Sequence, residues 1–441
     1  MHREISQIAN FGSDTVGFVY PAEADRNLEQ PLAKFLIITQ YFPPEIGGAP
    51  TRLQSVATEL RKMGHEVEVL TGFPNYPHGK FPPGYRGSLY KREEKNGVTI
   101  HRVWLYPATG SGTKRMANYG SFTLMTFFGL FKTKRPDYIF VESPPIFLSV
   151  PAYLAGILWR VPFIFNVSDM WPDVIVEGGF LKEGFLVKCM RAIESWSYRK
   201  ATYVNAVTDG VRSDLLTKKS VPAEKLLFLP NGADTVRFQP RSPDTSLKEK
   251  LGLTGKKIFL WAGTLGLAHG IEHILKAAKL LEGSSDIHFL FVGDGSAKEK
   301  LVRLRENLNL RNVTFHDAVQ LDVLPAYFSI ADVGLASLID LPLFDGARPS
   351  KLFPILASGK PLIFAGKGES ARLVRDANAG IVVAPENSEV LARAVLELAQ
   401  NPDLAQAYGR NGREYVETHL QWSQVIAEWL RQFRSLKQSS I

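Results

Sequence analysis

From residue 34 onward the chain alternates short apolar runs with longer stretches in which apolar positions recur every three or four residues. The run KFLIIT, starting at Lys34, has the pattern of a buried strand, and the Pro/Gly loop behind it leads into a helical periodicity from about Ala49 to Met63. GHEVEVLT then alternates as a strand does. Further strands are predicted at VTIHRVWL, DYIFVE, PFIFNV, TYVNAV and KLLFLP, with helices around 118–131, 147–159, 184–199 and 209–218 between most of them. Strands separated by helices imply a parallel sheet covered on both faces. Residues 239–256 are polar, carry Pro, Ser and Gly, and read as a linker. The alternation then restarts with KIFLWAG, IHFLFVG, VTFHD, ADVGLAS, PLIFAG and GIVVA, and helices are predicted at 270–281, 295–307, 321–329, 350–358 and 387–399. A helical tail from about 403 to 436 breaks near Gln421, and no fixed-period repeat is present, which excludes solenoids and propellers.

The pattern therefore predicts an α/β protein with two doubly wound domains, residues 34–240 and 241–411. Residues 1–33 lack a period and are expected to be an extension, in part disordered. Residues 412–441 are expected to form a C-terminal helix that packs back on the first domain. Two such domains in tandem leave a cleft between the carboxyl ends of both sheets, where ligands of open α/β folds bind.

Composition narrows the class. At roughly 150 residues per domain, 441 residues accommodate two large domains or three smaller ones. With 45% hydrophobic and 22% charged residues, general disorder is excluded. The one cysteine, Cys189, forms no internal disulfide, fits a reducing cytosol and removes any multi-cysteine metal site. The longest apolar run, Ile146 to Trp159, falls short of the ~20 residues a bilayer requires. His2, Arg3 and Glu4 open a mixed polar segment unlike a signal peptide, so a cytoplasmic location is expected.

The net charge of +8 is unevenly spread: −3 over residues 1–33, +9 over 34–240 and +2 over 241–441. Lys95, Arg102, Lys114, Arg115, Lys132, Lys134 and Arg135 lie in one stretch without an acid. A solvated basic surface explains such a stretch, as does a patch for nucleic acid, anionic lipid or a phosphorylated substrate. No helix-turn-helix, zinc-finger or RNA-recognition signature accompanies it, so nucleic acid is the weakest of these partners. NYGSFTLMTFFGLFKTKRP, residues 118–136, joins an apolar aromatic run to Lys132, Lys134 and Arg135. It reads either as a buried helix or as an element beside anionic lipid or a lipid-linked diphosphate acceptor, peripheral on the inner face of the membrane.

Several loops carry candidate chemistry. In QYFPPEIGGAPTR, residues 40–52, Gly47 and Gly48 stand between a strand and a helix. Glycine there allows close backbone approach, and a helix N-terminus favours an anion; a tight turn alone would also need glycine. The pattern matches neither the dinucleotide G-x-G-x-x-G fingerprint nor a Walker A loop. In the second half, WAGTLGLAHGIEHILKAA (261–278) and FVGDGSAKEKL (291–301) repeat the strand, glycine loop and helix order, with Gly266, His269 and Gly293 at the turns. GARPSKLFPILASGKPLIFAGKGES (346–370) places Arg348, Ser350 and Lys351 at a predicted helix start, suited to holding a diphosphate together with helix amides. No D-x-D pair or histidine cluster with ligand spacing is present, and no metal or other cofactor is expected.

On these motifs, together with SDMWPD (168–173) and KLLFLPNGADTVRF (225–238), the sequence resembles glycosyltransferase family 4 from about Lys34 to Arg434. The resemblance implies a GT-B arrangement of two Rossmann-like domains facing a central cleft. It further implies a metal-independent, retaining transfer of sugar from a nucleotide diphosphate sugar, by preference UDP-linked, to a glycan or lipid-linked acceptor. The SDMWPD and PSKLF wording is similar to transferases of N-acetylated deoxy sugars in bacterial surface polysaccharide assembly. Carried over, Gly47 and Gly48 face the donor, Asp169 meets the donor sugar or acceptor, and Lys351 contacts the diphosphate with Arg348 beside it. His269 stands where relatives have a basic phosphate ligand, and Glu369 and Ser370 lie in the loop that approaches the sugar.

The sequence also departs from the family pattern. The paired glutamates of many members fall here on Gly346 and Pro354, which leaves Asp345 as the candidate ribose acceptor. The Arg/Lys phosphate pair is reduced to Thr264 and His269. A nucleotide-sugar epimerase of the same fold and a catalytically silent partner subunit therefore stand as alternatives.

Overall fold

In the computed structural model, residues 32–438 are described except 46, 77, 109–111 and 180, so nearly all of the expected extension lies outside the described residues. Eight strands form the first sheet: β1 (Lys34–Ile38), β2 (Glu66–Gly72), β3 (Tyr90–Lys95), β4 (Val98–Val103), β5 (Tyr138–Ser143), β6 (Phe163–Val167), β7 (Tyr203–Ala206) and β8 (Leu226–Phe228). Their order is β3-β4-β2-β1-β5-β6-β7-β8. The apolar runs become interior strands because helices cover both faces, and β5 and β6 are buried almost throughout. All neighbours are parallel except β3, an exposed, charged edge strand that pairs antiparallel with β4. The hairpin turns at Asn96 and Gly97, both at positive φ.

The second sheet holds β9 (Lys257–Ala262), β10 (Ile287–Val292), β11 (Val313–His316), β12 (Val333–Ser337), β13 (Leu362–Ala365) and β14 (Gly380–Val383), all parallel. Its order, β11-β10-β9-β12-β13-β14, is the doubly wound 3-2-1-4-5-6 arrangement. The first sheet repeats that order from β4 to β7, with β3 added at one edge and β8 at the other. Each sheet thus has a switch point, β1/β5 in one and β9/β12 in the other.

Two expected boundaries move. The stretch 239–256 is more than a linker: helix Thr245–Lys250, capped by the Asp244 carboxylate, packs Leu247, Leu251 and Leu253 into the second core. At the other end, helix Pro402–His419 runs unbroken through the expected boundary at 411–412. It belongs with the second domain, because Gly409 and Gly412 lie directly on Gly359 and on Leu356 and Ala379. Only the last helix, Trp422–Gln438, returns to the first domain, where Val425, Ile426, Trp429 and Phe433 join Phe35, Ile37 and Leu53 in one core.

The two crossovers between domains run side by side. Ala233 N–H donates to the Leu420 carbonyl at 2.6 Å, Ala233 bridges to Gln421, and Gly232 lies flat on the Trp422 ring. From this seam the loops that follow the strands of one sheet face those of the other: Gly48 meets Ser350, and Gly210 meets Gly346 backbone to backbone.

Candidate functional site

The residues singled out by sequence gather at these facing loops. Behind β1, Gly47 precedes helix Gly48–Lys62 without a side chain to cap the first turn. A Cβ built on Gly48 would stand 3.2 Å from the Ser350 hydroxyl, so the two loops meet here with little room for a side chain. Behind β9 and β10 the backbone is far tighter: a Cβ on Gly293 would lie 1.9 Å from the Gly263 carbonyl oxygen. Gly266 is looser, its Cβ direction 3.6 Å from the His269 ring.

Lys351 is the focus of the second domain. Its side chain is 9% exposed, and its ammonium has no hydrogen-bond partner among the described residues. The Nζ stands 3.6 Å from the centroid of the fully buried Trp261 ring, which supplies a cation–π contact in place of a counter-ion. Burial pushes this ammonium well below the ordinary lysine range. A buried, unpaired cation is unfavourable for the empty protein and suits an arriving anion. Trp261 escaped the sequence reading. Its place in β9, two residues ahead of the first glycine of the G-T-L-G loop, is the only signal that marks it.

His269 sits against the same tryptophan, ring centroids 5.3 Å apart. Its Nδ1 is 3.2 Å from the Ser337 carbonyl, a contact that places a proton on Nδ1. Burial, with the Lys351 charge adding to it, lowers its pKa to about 3. The imidazole is therefore neutral near pH 7 in the ligand-free protein, and it adds no positive charge beside Lys351 in that state.

Arg348 also differs from expectation. Its guanidinium is ion-paired with the buried Glu369 carboxylate and lies 3.6 Å from Asp209, so its charge is already answered by two acids. Glu369 also accepts backbone N–H groups of Asp209 at 3.3 Å and Gly210 at 2.9 Å, at the start of helix Asp209–Thr217 of the first domain. Arg348 and Glu369 thus hold the domains together beside the cleft. Asp209 and Gly210 were missed because nothing in TDGVRSDLL signals a contact across domains. Ser370 is buried and donates to the Ala347 carbonyl at 2.7 Å, fixing the same loop. Asp345 is exposed, and its backbone packs against Gly368. The helix that holds Pro354 spans only Leu352–Ala357, so the amides expected directly after Pro349 precede it.

On the first-domain side, Asp169 follows β6. The residue is exposed, and the protein around it raises its carboxyl above the usual range. Beneath it Ser168 donates to Glu142, which is buried with Arg52 at 3.2 Å. Arg52 also donates to Asn166 and to the Leu229 carbonyl, each at 3.3 Å. Asn205 and Trp429 extend this network to the last helix. Among the described residues, no group of three His, Cys, Asp or Glu side chains is placed to hold a metal ion.

Two doubly wound domains that meet at the switch points of both sheets define a GT-B protein, and the domain comparisons specify its chemistry. Residues 47–232 match the Glycosyl transferase 4-like domain and residues 244–415 match Glycosyl transferases group 1. The chain belongs to the GT-B glycosyltransferases of the family 4 type. It is 28% identical over 413 residues to Escherichia coli K12 WcaI, named a colanic acid biosynthesis glycosyl transferase, covering 91% of this chain and 100% of WcaI. Sucrose-phosphate synthase from Thermosynechococcus elongatus superposes with a TM-score of 0.72 at 17% identity, over 92% of this chain and 99% of that one. Anabaena HepE in complex with UDP-glucose superposes with a TM-score of 0.69 at 16% identity, over 91% and 100%. At these identities the two structures bear on the fold.

Proposed function

We propose that this glycosyltransferase moves a sugar, with retention of configuration, from a UDP-linked donor to a glycan or lipid-linked acceptor in surface polysaccharide assembly. The buried, unpaired Lys351 ammonium carries the reading. It stands at the β9/β12 switch point, across the cleft from the Gly47–Gly48 turn, where a ligand diphosphate would supply the missing counter-charge. The WcaI likeness supports polysaccharide assembly, and the HepE complex supports a UDP sugar.

In the proposed reaction the bond from the anomeric carbon to the diphosphate oxygen breaks as the acceptor oxygen bonds to that carbon. The acceptor hydroxyl proton passes to the departing diphosphate on the same face. Negative charge grows on the leaving group, and Lys351 with the Gly47 and Gly48 amides stabilises it. Asp169 orients sugar or acceptor hydroxyls. Arg348 acts as a positioning residue, since its charge is engaged by Glu369 and Asp209. Asp345, exposed beside this loop, is the candidate for the ribose hydroxyls. These fixed groups perform the charge neutralisation in this reading.

Calorimetry with UDP, GDP and their sugars, followed by product analysis with a lipid-diphosphate acceptor, tests the proposal. UDP binding that weakens in Lys351→Met but stays measurable is expected. Failure to bind any nucleotide diphosphate would overturn it and favour a silent subunit, while a changed sugar formed from donor alone would favour an epimerase.

A further inference from the structure

Helices Thr113–Leu130 and Ser149–Trp159 lie side by side on one face of the first sheet, and their inner sides share one core. Their outer sides reverse the usual pattern of a surface helix. Leu124, Phe128 and Phe131 follow one another at helical spacing, with Leu124 70% and Phe131 83% exposed. On the neighbouring helix Leu154, Ile157 and Leu158 do the same, Leu158 at 73%. No charged residue occurs from Met116 to Phe131 or from Ser149 to Trp159, so water meets an unbroken uncharged face across both helices. Scattered exposed leucines are ordinary, but two adjacent helices turning apolar stripes outward are not.

Charge borders this face: Lys114 and Arg115 stand in the first turn of the first helix, Lys200 of a neighbouring helix lies over the Tyr153 ring, and a further cluster follows the last turns. Lys132, Lys134 and Arg135 follow the first and Arg160 follows the second, all exposed. Lys132 also reaches back over the Phe128 ring, 5.4 Å from its centroid. Both helices start near the loops that line the cleft and finish at the opposite edge of the sheet, so the apolar stripes lead from Lys132, Lys134, Arg135 and Arg160 toward the site. A second copy seated through the same face would bring the same cations and no counter-charge from that face. An anionic lipid surface offers both a place for the leucine and phenylalanine side chains and the opposite sign for the cations.

We infer that this two-helix face is a docking surface for an anionic bilayer, with Leu124, Phe131 and Leu158 entering the interface and Lys132, Lys134, Arg135 and Arg160 at the headgroups. No described helix is long and apolar enough to cross a membrane, and the inferred contact is interfacial. The inference deepens the proposed function by naming the surface on which a lipid-linked acceptor would be met. It rests on that reading for its purpose, while the binding itself needs no substrate.

The test is flotation of the full chain with phosphatidylcholine vesicles, with and without phosphatidylglycerol. Binding is expected only with the anionic lipid and weakens with added salt. The variant Leu124→Ser/Phe131→Ser/Leu158→Ser should lose it, and each cation replaced by serine should weaken it about five-fold. These side chains face water, so circular dichroism and UDP calorimetry of the variants should match the parent. A parent protein that does not float with anionic vesicles at low salt overturns the inference. Equal flotation of the triple-serine variant also overturns it, as does a dimer dissolved by that variant in the absence of vesicle binding. Because UDP binding is measured separately, loss of the lipid result and loss of the donor result are distinguishable.

Discussion

The two switch points of this molecule treat a buried cation in opposite ways. At β1/β5, Arg52 is enclosed with Glu142, Asn166 and the Leu229 carbonyl, its charge answered within the fold. At β9/β12, Lys351 is enclosed with an indole and a neutral imidazole, and no carboxylate among the described residues reaches it. Both pairings are costly to bury: burial pushes Arg52 down and Glu142 up, and it pushes Lys351 down. The difference lies in what compensates. The first cation is completed by the chain, whereas the second has no partner among the described residues. The same strand order therefore yields a structural pair in one domain and, under the proposed function, an anion site in the other.

Deleting one charge at each site should separate the two most clearly. Glu142→Leu leaves Arg52 buried without its acid and is expected to cost about 3–5 kcal/mol of stability. The double variant Arg52→Met/Glu142→Leu should recover much of that loss, and urea denaturation of the variants measures both. A Glu142→Leu protein as stable as the parent would erase the contrast. Lys351→Met should behave in the opposite sense, with an unchanged or raised thermal midpoint because a buried polar group without a partner is removed. Its loss should appear in turnover instead, at about 2.7–4 kcal/mol of transition-state stabilisation, measured as kcat with saturating donor. A lowered midpoint with intact turnover would show that Lys351 is structural.

A third variant probes how the domains meet. Gly210→Ala places a Cβ 2.2 Å from the Gly346 Cα and so opposes the closed arrangement that Glu369 and Arg348 maintain. Turnover should fall while UDP affinity changes little, since Lys351 and Trp261 both belong to the second domain. Comparing kcat with the calorimetric Kd checks this, and an equal loss in both would place Gly210 in the donor site itself.

The sequence made the frame of this comparison legible and left its decisive contacts hidden. Apolar runs such as DYIFVE and IHFLFVG identify central parallel strands because both of their faces are buried. YKREEK has no apolar alternation, since β3 is an exposed edge, and Asn96–Gly97 was its one available signal. Glycine loops and PSKLF brought Gly48, Ser350 and Lys351 to one cleft. Whether a cation is paired depends on side chains distant in sequence, as Arg348 with Asp209 and Glu369 shows. The neutral state of His269 likewise follows from burial that spacing cannot express.

The smallest expected effect is also the most specific to Lys351. Its pKa is lowered in the empty protein, and a bound diphosphate raises it again by supplying the opposite charge. Between the lowered and the restored value the complex holds more protons than its parts, so binding takes up a proton and UDP affinity falls as pH rises through that window. Calorimetry in buffers of different ionisation enthalpy reads the uptake directly. Lys351→Met should abolish it. Trp261→Leu, which replaces the aromatic face by an aliphatic side chain, should weaken UDP binding through loss of a contact worth about 0.5–2 kcal/mol. It should also enlarge the uptake, because the empty-state ammonium loses the ring that favours its charged form. Uptake unchanged in Lys351→Met would assign the proton to another group and remove the distinction between a cation completed by the fold and one completed by its ligand.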